Sequence, residues 1–124
     1  MKTWNDTQPI FIQIRQIIID LILRGEGKDD EALPSVRQIS AELSVNPLTV
    51  TKAYQSLVEL GIIEKRRGLG MFLTPKAREK LLRHEREKFL SDEWPRIIAR
   101  IETLGLSVDD LVSEVKGGKP DAGK

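Results

Sequence analysis

Apolar residues near the start of the chain recur every three or four positions, which is the spacing of one face of an α-helix. The pattern opens at Pro9-Ile10 and runs to Arg24-Gly25. Residues 25–31 then contain two glycines and no apolar side chain, so they predict an exposed loop. The buried stripe of this first helix is predicted to be Ile10, Ile14, Ile17 and Leu21 with either Ile18 or Ile22.

Two short helices joined by a tight turn are predicted next. Ser35 stands three positions before Gln38, the spacing of a capping box, and predicts a helix over about residues 36–43. Asn46-Pro47 combines an N-cap residue with proline at the first helical position, and Gly61 provides a left-handed stop. The inner stripe of this third helix is predicted to be Val50, Ala53, Leu57 and Leu60. The spacing alone predicts a helix-turn-helix.

A β-hairpin is predicted after the third helix. The β-prone runs Ile62-Ile63-Glu64-Lys65 and Met71-Phe72-Leu73-Thr74 stand on either side of residues 66–70, whose two glycines suit a turn. This hairpin is the wing of a winged helix-turn-helix. Thr74-Pro75 repeats the combination of cap and proline, so the next helix is predicted to begin there.

The spacing of apolar residues in the last third of the chain predicts helices that carry an apolar stripe. To be buried, such a stripe has to pack against another surface. Pro95 interrupts the stripe and predicts a kink or a restart, with Ser91 or Asp92 as the cap if the helix restarts. Gly105 ends that helix, and a last short helix begins at Ser107. The stripe consists of Leu90, Trp94, Ile97, Ile101 and Leu104, continued by Leu111 and Val115 in the last helix.

These elements predict a mainly α fold with one small β-hairpin. The predicted organisation is a winged helix-turn-helix over residues 1–74, a helical dimerisation region over 75–116 and a flexible tail over 117–124. The stripe in the second region is the predicted dimer interface, because a winged helix already has its own core and the added helices cannot bury both apolar faces within one subunit.

Composition narrows the class of protein. The chain has 124 residues, 40% of them hydrophobic and 31% charged, which is ordinary for a soluble domain. It contains no cysteine and no uninterrupted run of about 18 apolar residues for a membrane span. Its start turns acidic at Asp6, before any apolar stretch resembles a signal peptide. We therefore expect a cytoplasmic protein without disulfides and without a membrane partner.

Charge gives only mild support for a nucleic-acid partner. The formal net charge is +1, but residues 33–74 carry five basic and three acidic side chains. Residues 1–32 are net acidic, with four basic and six acidic side chains. Residues 75–105 carry a similar excess, with eight basic and six acidic side chains, so the basic excess lies in the middle of the chain and includes the predicted helix-turn-helix and wing.

Five ordered motifs over residues 9–74 make the chain resemble the GntR family of transcription regulators. They are Pro9-Ile10-Phe11-Ile12-Gln13-Ile14, Leu33-Pro34-Ser35-Val36-Arg37, Val45-Asn46-Pro47-Leu48-Thr49-Val50 with Lys52-Ala53-Tyr54, Leu60-Gly61, and Arg67-Gly68-Leu69-Gly70-Met71-Phe72. The short helical remainder resembles the YtrA-type subgroup. The resemblance implies a homodimer on a double-stranded, inverted-repeat operator, with repression as the usual outcome. Whether a small-molecule effector acts is left open, as are the operator sequence and the regulated genes.

The DNA-binding side chains are predicted on three elements. The second helix of a helix-turn-helix enters the major groove with its N-terminal residues nearest the bases. The resemblance implies that Ser35 and Arg37 contact the DNA backbone, and adjacent arginines in the wing suit a narrow minor groove. The candidates are Ser35, Arg37, Asn46, Leu48, Thr49, Thr51, Lys52, Gln55, Arg66, Arg67, Gly68 and Gly70.

Other functions have less support in the sequence. A winged helix also serves in protein or RNA association, but a protein-docking face is expected to carry apolar anchors, and apart from Leu48 the predicted face is polar. No catalytic set of residues can be assembled. His84 has no second histidine or cysteine with which to share a metal, so we expect no metal and no cofactor.

Overall fold

The computed structural model describes residues 4–25 and 28–118. The chain divides into two compact units, Met1–Arg83 and His84–Lys124. The elements in chain order are α1 (Ile10–Arg24), α2 (Val36–Leu43), α3 (Pro47–Glu59), β1 (Ile63–Arg66), β2 (Gly70–Leu73), α4 (Ala77–Lys88), a π-helical turn (Phe89–Glu93), α5 (Trp94–Thr103) and α6 (Val108–Gly118). No helix within the described ranges has the length and apolar character that crossing a membrane requires.

The core of the first unit lies chiefly between α1 and α3. The predicted α1 stripe is wrong in part, because Ile10 and Leu21 are 41% and 44% exposed, whereas Ile19 is fully buried. Residues 17–19 are three consecutive isoleucines, so apolar spacing alone does not choose between neighbouring faces of the helix. The α1 and α3 side chains of the core are Ile14, Ile18, Ile19, Ile22, Val50, Ala53, Tyr54 and Leu57.

Side-chain caps begin α2 and α3 as the sequence predicts. Ser35 Oγ accepts the Gln38 N–H at 3.0 Å, and Gln38 Oε1 accepts the Ser35 N–H at 2.7 Å. Asn46 Oδ1 accepts the Leu48 N–H at 2.8 Å. Gly61 has φ +78° after the end of α3, which is the predicted left-handed stop. Leu60 was expected inside, but it follows the last helical residue and is 38% exposed.

The hairpin has a third neighbour that the sequence did not predict. β1 and β2 are antiparallel, with register from Ile63 opposite Leu73 to Arg66 opposite Gly70. Ala32, which directly follows the predicted exposed loop, forms a β-bridge with Phe72 on the free edge of β2. The Leu73 N–H donates to the Glu31 carbonyl at 2.8 Å, so the segment before α2 braces the wing.

The predicted start of α4 at Thr74-Pro75 is wrong. The Thr74 hydroxyl donates to the Gly61 carbonyl at 2.6 Å instead of capping a helix, and Lys76 has φ +58°. The helix therefore begins at Ala77. Ala77 and Leu81 are buried in the core of the first unit, which explains why that unit runs to Arg83 and not to residue 74.

In the second unit, the helical path runs through Pro95 without a capped restart. The Ser91 hydroxyl donates to the Glu87 carbonyl, and Asp92 pairs with Arg96 at 3.0 Å, so neither residue caps α5. Pro95 has no amide hydrogen to donate to a carbonyl one turn earlier. The wider π turn ends at Glu93, two residues before this proline. The Ser107 hydroxyl accepts the Asp110 N–H at the start of α6. That helix includes residues 117 and 118, and the rest of the predicted tail lies outside the described residues.

Candidate nucleic-acid interface

The two faces of α3 differ sharply in exposure. Leu48 at its N-terminus is 76% exposed, and Thr51, Lys52 and Gln55 are also exposed, whereas Thr49 is half-buried. The opposite face is held in the core, so the outward face is rigidly presented. Four of the five α3 candidates are therefore exposed to solvent, and Thr49 is partly exposed.

A concavity of about 330 Å³ joins α3, the N-terminus of α2 and the wing. Ser35 and Thr51 line it on the helical side, and Lys65, Arg66, Gly68 and Gly70 line it on the wing side. Three separate parts of the sequence thus border one surface of the first unit. Lys65 was missed by the sequence reasoning, because an exposed lysine in a β-prone run carries no signal of which face of the hairpin it occupies.

The N-terminus of α2 is built to receive an anion. Ser35 Oγ accepts a hydrogen bond as the N-cap, which leaves its hydroxyl proton available to a further acceptor. Among the described contacts, the Val36 and Arg37 amide groups at the first turn have no acceptor, and the Arg37 side chain is exposed. Unpaired amides and the helix dipole favour a phosphate at such a site.

A buried tyrosine fixes this end of α2 against α3. Tyr54 is fully buried, and its hydroxyl donates to the Pro34 carbonyl, one residue before the N-cap. Burial raises the pKa of the Tyr54 phenol above its ordinary value. Tyr54 is therefore a neutral hydrogen-bond donor that helps to locate Ser35 and Arg37 relative to the exposed face of α3.

The two adjacent arginines of the wing have different surroundings. Arg66 Nε lies 2.8 Å from Glu64 Oε2, its Nη2 lies 2.5 Å from Asp30 Oδ1, and its guanidinium lies over the Phe72 ring. Hydrogen bonds to Glu64 and Asp30 raise the pKa of Arg66 above its ordinary value. Its charge is thus neutralised locally, and we interpret it as a brace of the wing, although it was predicted as a DNA contact.

The tip of the wing follows Arg66. Arg67 is exposed and has no ion pair among the described residues. Gly68 and Gly70 have φ +76° and +116°, values that favour glycine over other residues. Arg67 and Lys65 are therefore the wing cations that remain available to an anionic partner.

On the other side of α3, the start of α1 contributes a residue that the sequence did not single out for function. Lys52 Nζ lies 4.1 Å from the centroid of the Phe11 ring. Shallow grooves lined by Phe11, Leu48 and Lys52 run along this side. No local signal in the sequence pairs two residues 41 positions apart, so only the packing of α1 on α3 reveals the contact.

Asn46 has a structural task that limits its candidate role. Its side-chain oxygen accepts the Leu48 N–H, which leaves one lone pair of that oxygen and the two amide hydrogens for DNA. Its candidate role is therefore secondary to capping α3.

In the second unit, α5 and α6 form an apolar groove of about 360 Å³. The predicted interface residues Trp94, Ile97, Ile101, Leu111 and Val115 line it together with Val108 and Val112. Leu90 and Leu104 are 64% and 54% exposed and do not line the groove. Most of the predicted stripe is thus brought together, but Ile101 is only 8% exposed and already packs within its own unit.

The described residues contain no group of three or more His, Asp or Glu side chains placed to hold a metal ion. His84 contacts the neighbouring Glu85 at 3.3 Å. The candidate residues of the first unit offer hydrogen-bonding groups and positive charge, and the groove of the second unit offers apolar surface.

Comparisons with known proteins agree with this geometry. The model of the family described as bacterial regulatory proteins, gntR family, matches residues 12–73. The HTH-type transcriptional repressor YtrA of Bacillus subtilis is 33% identical over 93% of this chain and 93% of its own. The HTH-type transcriptional regulator YhcF of the same organism is 29% identical over 91% of this chain and 92% of its own. The solved structure of a GntR family transcriptional regulator from Listeria monocytogenes has a TM-score of 0.74 at 30% identity, covering 91% of this chain and 97% of that one.

Proposed function

Because this chain belongs to the GntR family of bacterial regulatory proteins, we propose that it is a repressor that binds an inverted-repeat operator as a homodimer. The family assignment makes it a DNA-binding transcription regulator, and we propose no catalytic activity for it. Its relation to the repressor YtrA, which extends over nearly the whole of both chains, supports repression as the outcome. Such a protein works where the chromosome is, so the proposal places it in the cytoplasm.

The observation that supports operator binding most is the concavity bordered by Ser35, Thr51, Lys65 and Gly68. With α3 in the major groove, the N-terminus of α2 faces the phosphate backbone and the wing tip faces the neighbouring groove wall. Arg37 and the amides of α2 are then backbone contacts, which position the protein. Thr49, Thr51 and Lys52 are base contacts, which specify the sequence.

The apolar groove of the second unit supports the homodimer. Ile97, Val112 and Val115 at this groove are 42%, 45% and 66% exposed in the single chain. Contiguous exposed apolar surface of this kind marks an interaction site. A second copy of the same groove is the occupant we propose, because two-fold symmetry of the protein then matches an inverted repeat in the DNA.

Selection from a random duplex library is expected to enrich one inverted repeat, bound with a strong dependence on salt. Arg37, Lys65 and Arg67 offer three cations per subunit to phosphate groups, and each neutralised phosphate releases counterions. For a dimer, affinity is expected to fall by about a thousandfold or more between about 50 and 200 mM salt. An anisotropy titration of the enriched duplex measures this, with a scrambled duplex as the control. Equal binding of both duplexes at every salt concentration would contradict the proposal.

Arg37→Ala is expected to weaken binding to all sequences alike, whereas Thr49→Ala and Lys52→Ala are expected to change which bases are preferred. The reason is that backbone contacts carry no sequence information, while a base contact is worth about 1–3 kcal/mol of discrimination. Repeating the selection with each variant separates the two classes. Arg86→Ala removes an exposed arginine outside the first unit and serves as the control. An altered preferred sequence with Arg37→Ala, but not with the α3 variants, would reverse these assignments.

A further inference from the structure

The ammonium group of Lys52 is held over an aromatic ring from another helix. Phe11 lies in the first turn of α1, and Lys52 lies on the exposed face of α3, with 4.1 Å between Lys52 Nζ and the ring centroid. Both helices are anchored in the core by side chains that include Ile14, Val50 and Ala53. The ring and the lysine are therefore kept opposite each other by the packing of two rigid elements.

This contact restricts the Lys52 side chain, which otherwise populates many conformations. Lysine has a flexible four-carbon stem, and placing it for a specific hydrogen bond costs conformational entropy. The negative face of an aromatic ring attracts an ammonium group and favours one region of space for it. Lys52 is thus partly ordered before any partner binds.

The side of α3 on which Phe11 holds the Lys52 ammonium matters for DNA recognition. Ile10, Phe11, Leu48 and Lys52 line one shallow groove on the α1 side of α3. Thr51, the neighbouring residue, borders both this side and the concavity beside the wing, whereas Lys52 does not line that concavity. The ring therefore biases the charge of Lys52 toward the α1 edge of the helix.

We propose that Phe11 is a positioning residue, which holds the Lys52 ammonium at the α1 edge of α3 and so determines which DNA group Lys52 contacts. This inference rests on the proposed DNA-binding function. Phe11 acts through Lys52 and does not belong to the buried core cluster of the first unit. A loss of the ring is therefore expected to alter recognition more than folding.

Four variants test the proposal on the duplex enriched by the wild-type protein: Phe11→Leu, Phe11→Tyr, Lys52→Ala and the double variant Phe11→Leu/Lys52→Ala. Phe11→Leu is expected to weaken binding about two- to fivefold, because the Lys52 side chain must then be ordered on binding and not before it. Phe11→Tyr keeps the aromatic face and is expected to bind as the wild type does. Phe11→Leu is also expected to relax base preference at the same operator positions as Lys52→Ala.

The dependence of affinity on salt distinguishes positioning from loss of charge. Lys52→Ala removes a cation from the interface, so the affinity of this variant is expected to fall less steeply with salt than that of the wild type. Phe11→Leu keeps every charge, so its slope is expected to equal that of the wild type. Thermal unfolding of all variants is measured in parallel, and Phe11→Met replaces Phe11→Leu if the leucine variant is unfolded at the assay temperature.

The double variant decides the matter. If Phe11 acts through Lys52, Phe11→Leu has no further effect once Lys52 is alanine. The proposal is overturned if Phe11→Leu causes an equal loss of affinity in the wild-type and Lys52→Ala backgrounds. It is also overturned if Phe11→Leu alone binds with wild-type affinity and base preference. If the wild-type protein enriches no sequence and binds every duplex alike, the proposed function itself fails, and this inference fails with it.

Discussion

Ile97→Glu is expected to convert the dimer into monomers that keep a folded winged helix but lose most of their operator affinity. Ile97 lies on the apolar groove of the second unit and is 42% exposed in the single chain. In a dimer that covers this groove, the glutamate would be desolvated without a partner, at a cost of about 3–5 kcal/mol of association free energy. Each monomer then binds only one half-site. The high effective concentration with which a dimer bound at one half-site binds the second is lost.

Ala99→Glu is the matched control for this experiment. Ala99 is exposed on α5, about half a helical turn from the stripe of Trp94, Ile97 and Ile101, and the substitution adds the same charge. Ile97 is a better probe than Ile101, because the latter is 8% exposed and a charge there would also disturb its own unit. Light scattering, circular dichroism and an operator titration measure assembly, folding and binding. A dimeric Ile97→Glu protein with normal affinity would place the interface elsewhere.

Tyr54→Ala is expected to reduce the free energy of unfolding by about 3–5 kcal/mol, the usual cost of deleting a large buried aromatic side chain. That is a large part of the total stability of a small domain. Tyr54→Phe keeps the ring and removes only the hydroxyl, which leaves the Pro34 carbonyl without its donor. Its expected cost is about 1–3 kcal/mol. Urea unfolding followed by circular dichroism measures both, and a loss below 1 kcal/mol for the alanine variant would contradict the packing described for Tyr54.

The same tyrosine predicts a dependence of stability on alkaline pH. An unfolded tyrosine ionises near pH 10, but burial raises the pKa of Tyr54 in the folded protein. The unfolded state therefore loses this proton first, so the stability contribution is complete below about pH 10 and declines as pH rises beyond it. Tyr54→Phe lacks this contribution, and the difference between the two proteins isolates it from the titration of lysines. Because Tyr54 is the single tyrosine of the chain, tyrosinate absorbance reports its ionisation directly. An unfolding free energy that falls equally in both proteins above pH 10 would contradict this account.

Several features could be predicted from the sequence because their causes lie within a few residues of one another. The Ser35–Gln38 capping box, the Asn46 cap and the stop at Gly61 each satisfy backbone groups or a backbone angle locally. Side-chain caps begin α2 and α3, Gly61 ends α3, and Gly68 lies in the hairpin turn. For the same reason the five family motifs could be recognised, and the candidate residues on α3 lie on its outward face as expected.

Predictions from local spacing were wrong where the local sequence was equally compatible with two structures. Thr74-Pro75 has the composition of a helix start, but the Thr74 hydroxyl bonds the carbonyls of Gly61 and Ile62 and delays α4 to Ala77. The isoleucines at 17–19 offered alternative stripes, and contact with the other elements of the core selected Ile18 and Ile19. In both cases a residue distant in sequence determined the outcome.

By itself, the sequence determined the order of the elements, their capped ends, the family and the outward face of α3, because these depend on interactions within one turn of a helix or one hairpin. Only the tertiary structure decided that Arg66 braces the wing through Asp30, that Ala32 joins the edge of β2, and that Lys52 lies over Phe11. Each of these contacts joins residues 36 to 41 positions apart, and the local pattern around either residue is compatible with many partners. The partner is selected when α1, α3 and the hairpin pack into one core, because that packing brings these particular residues together.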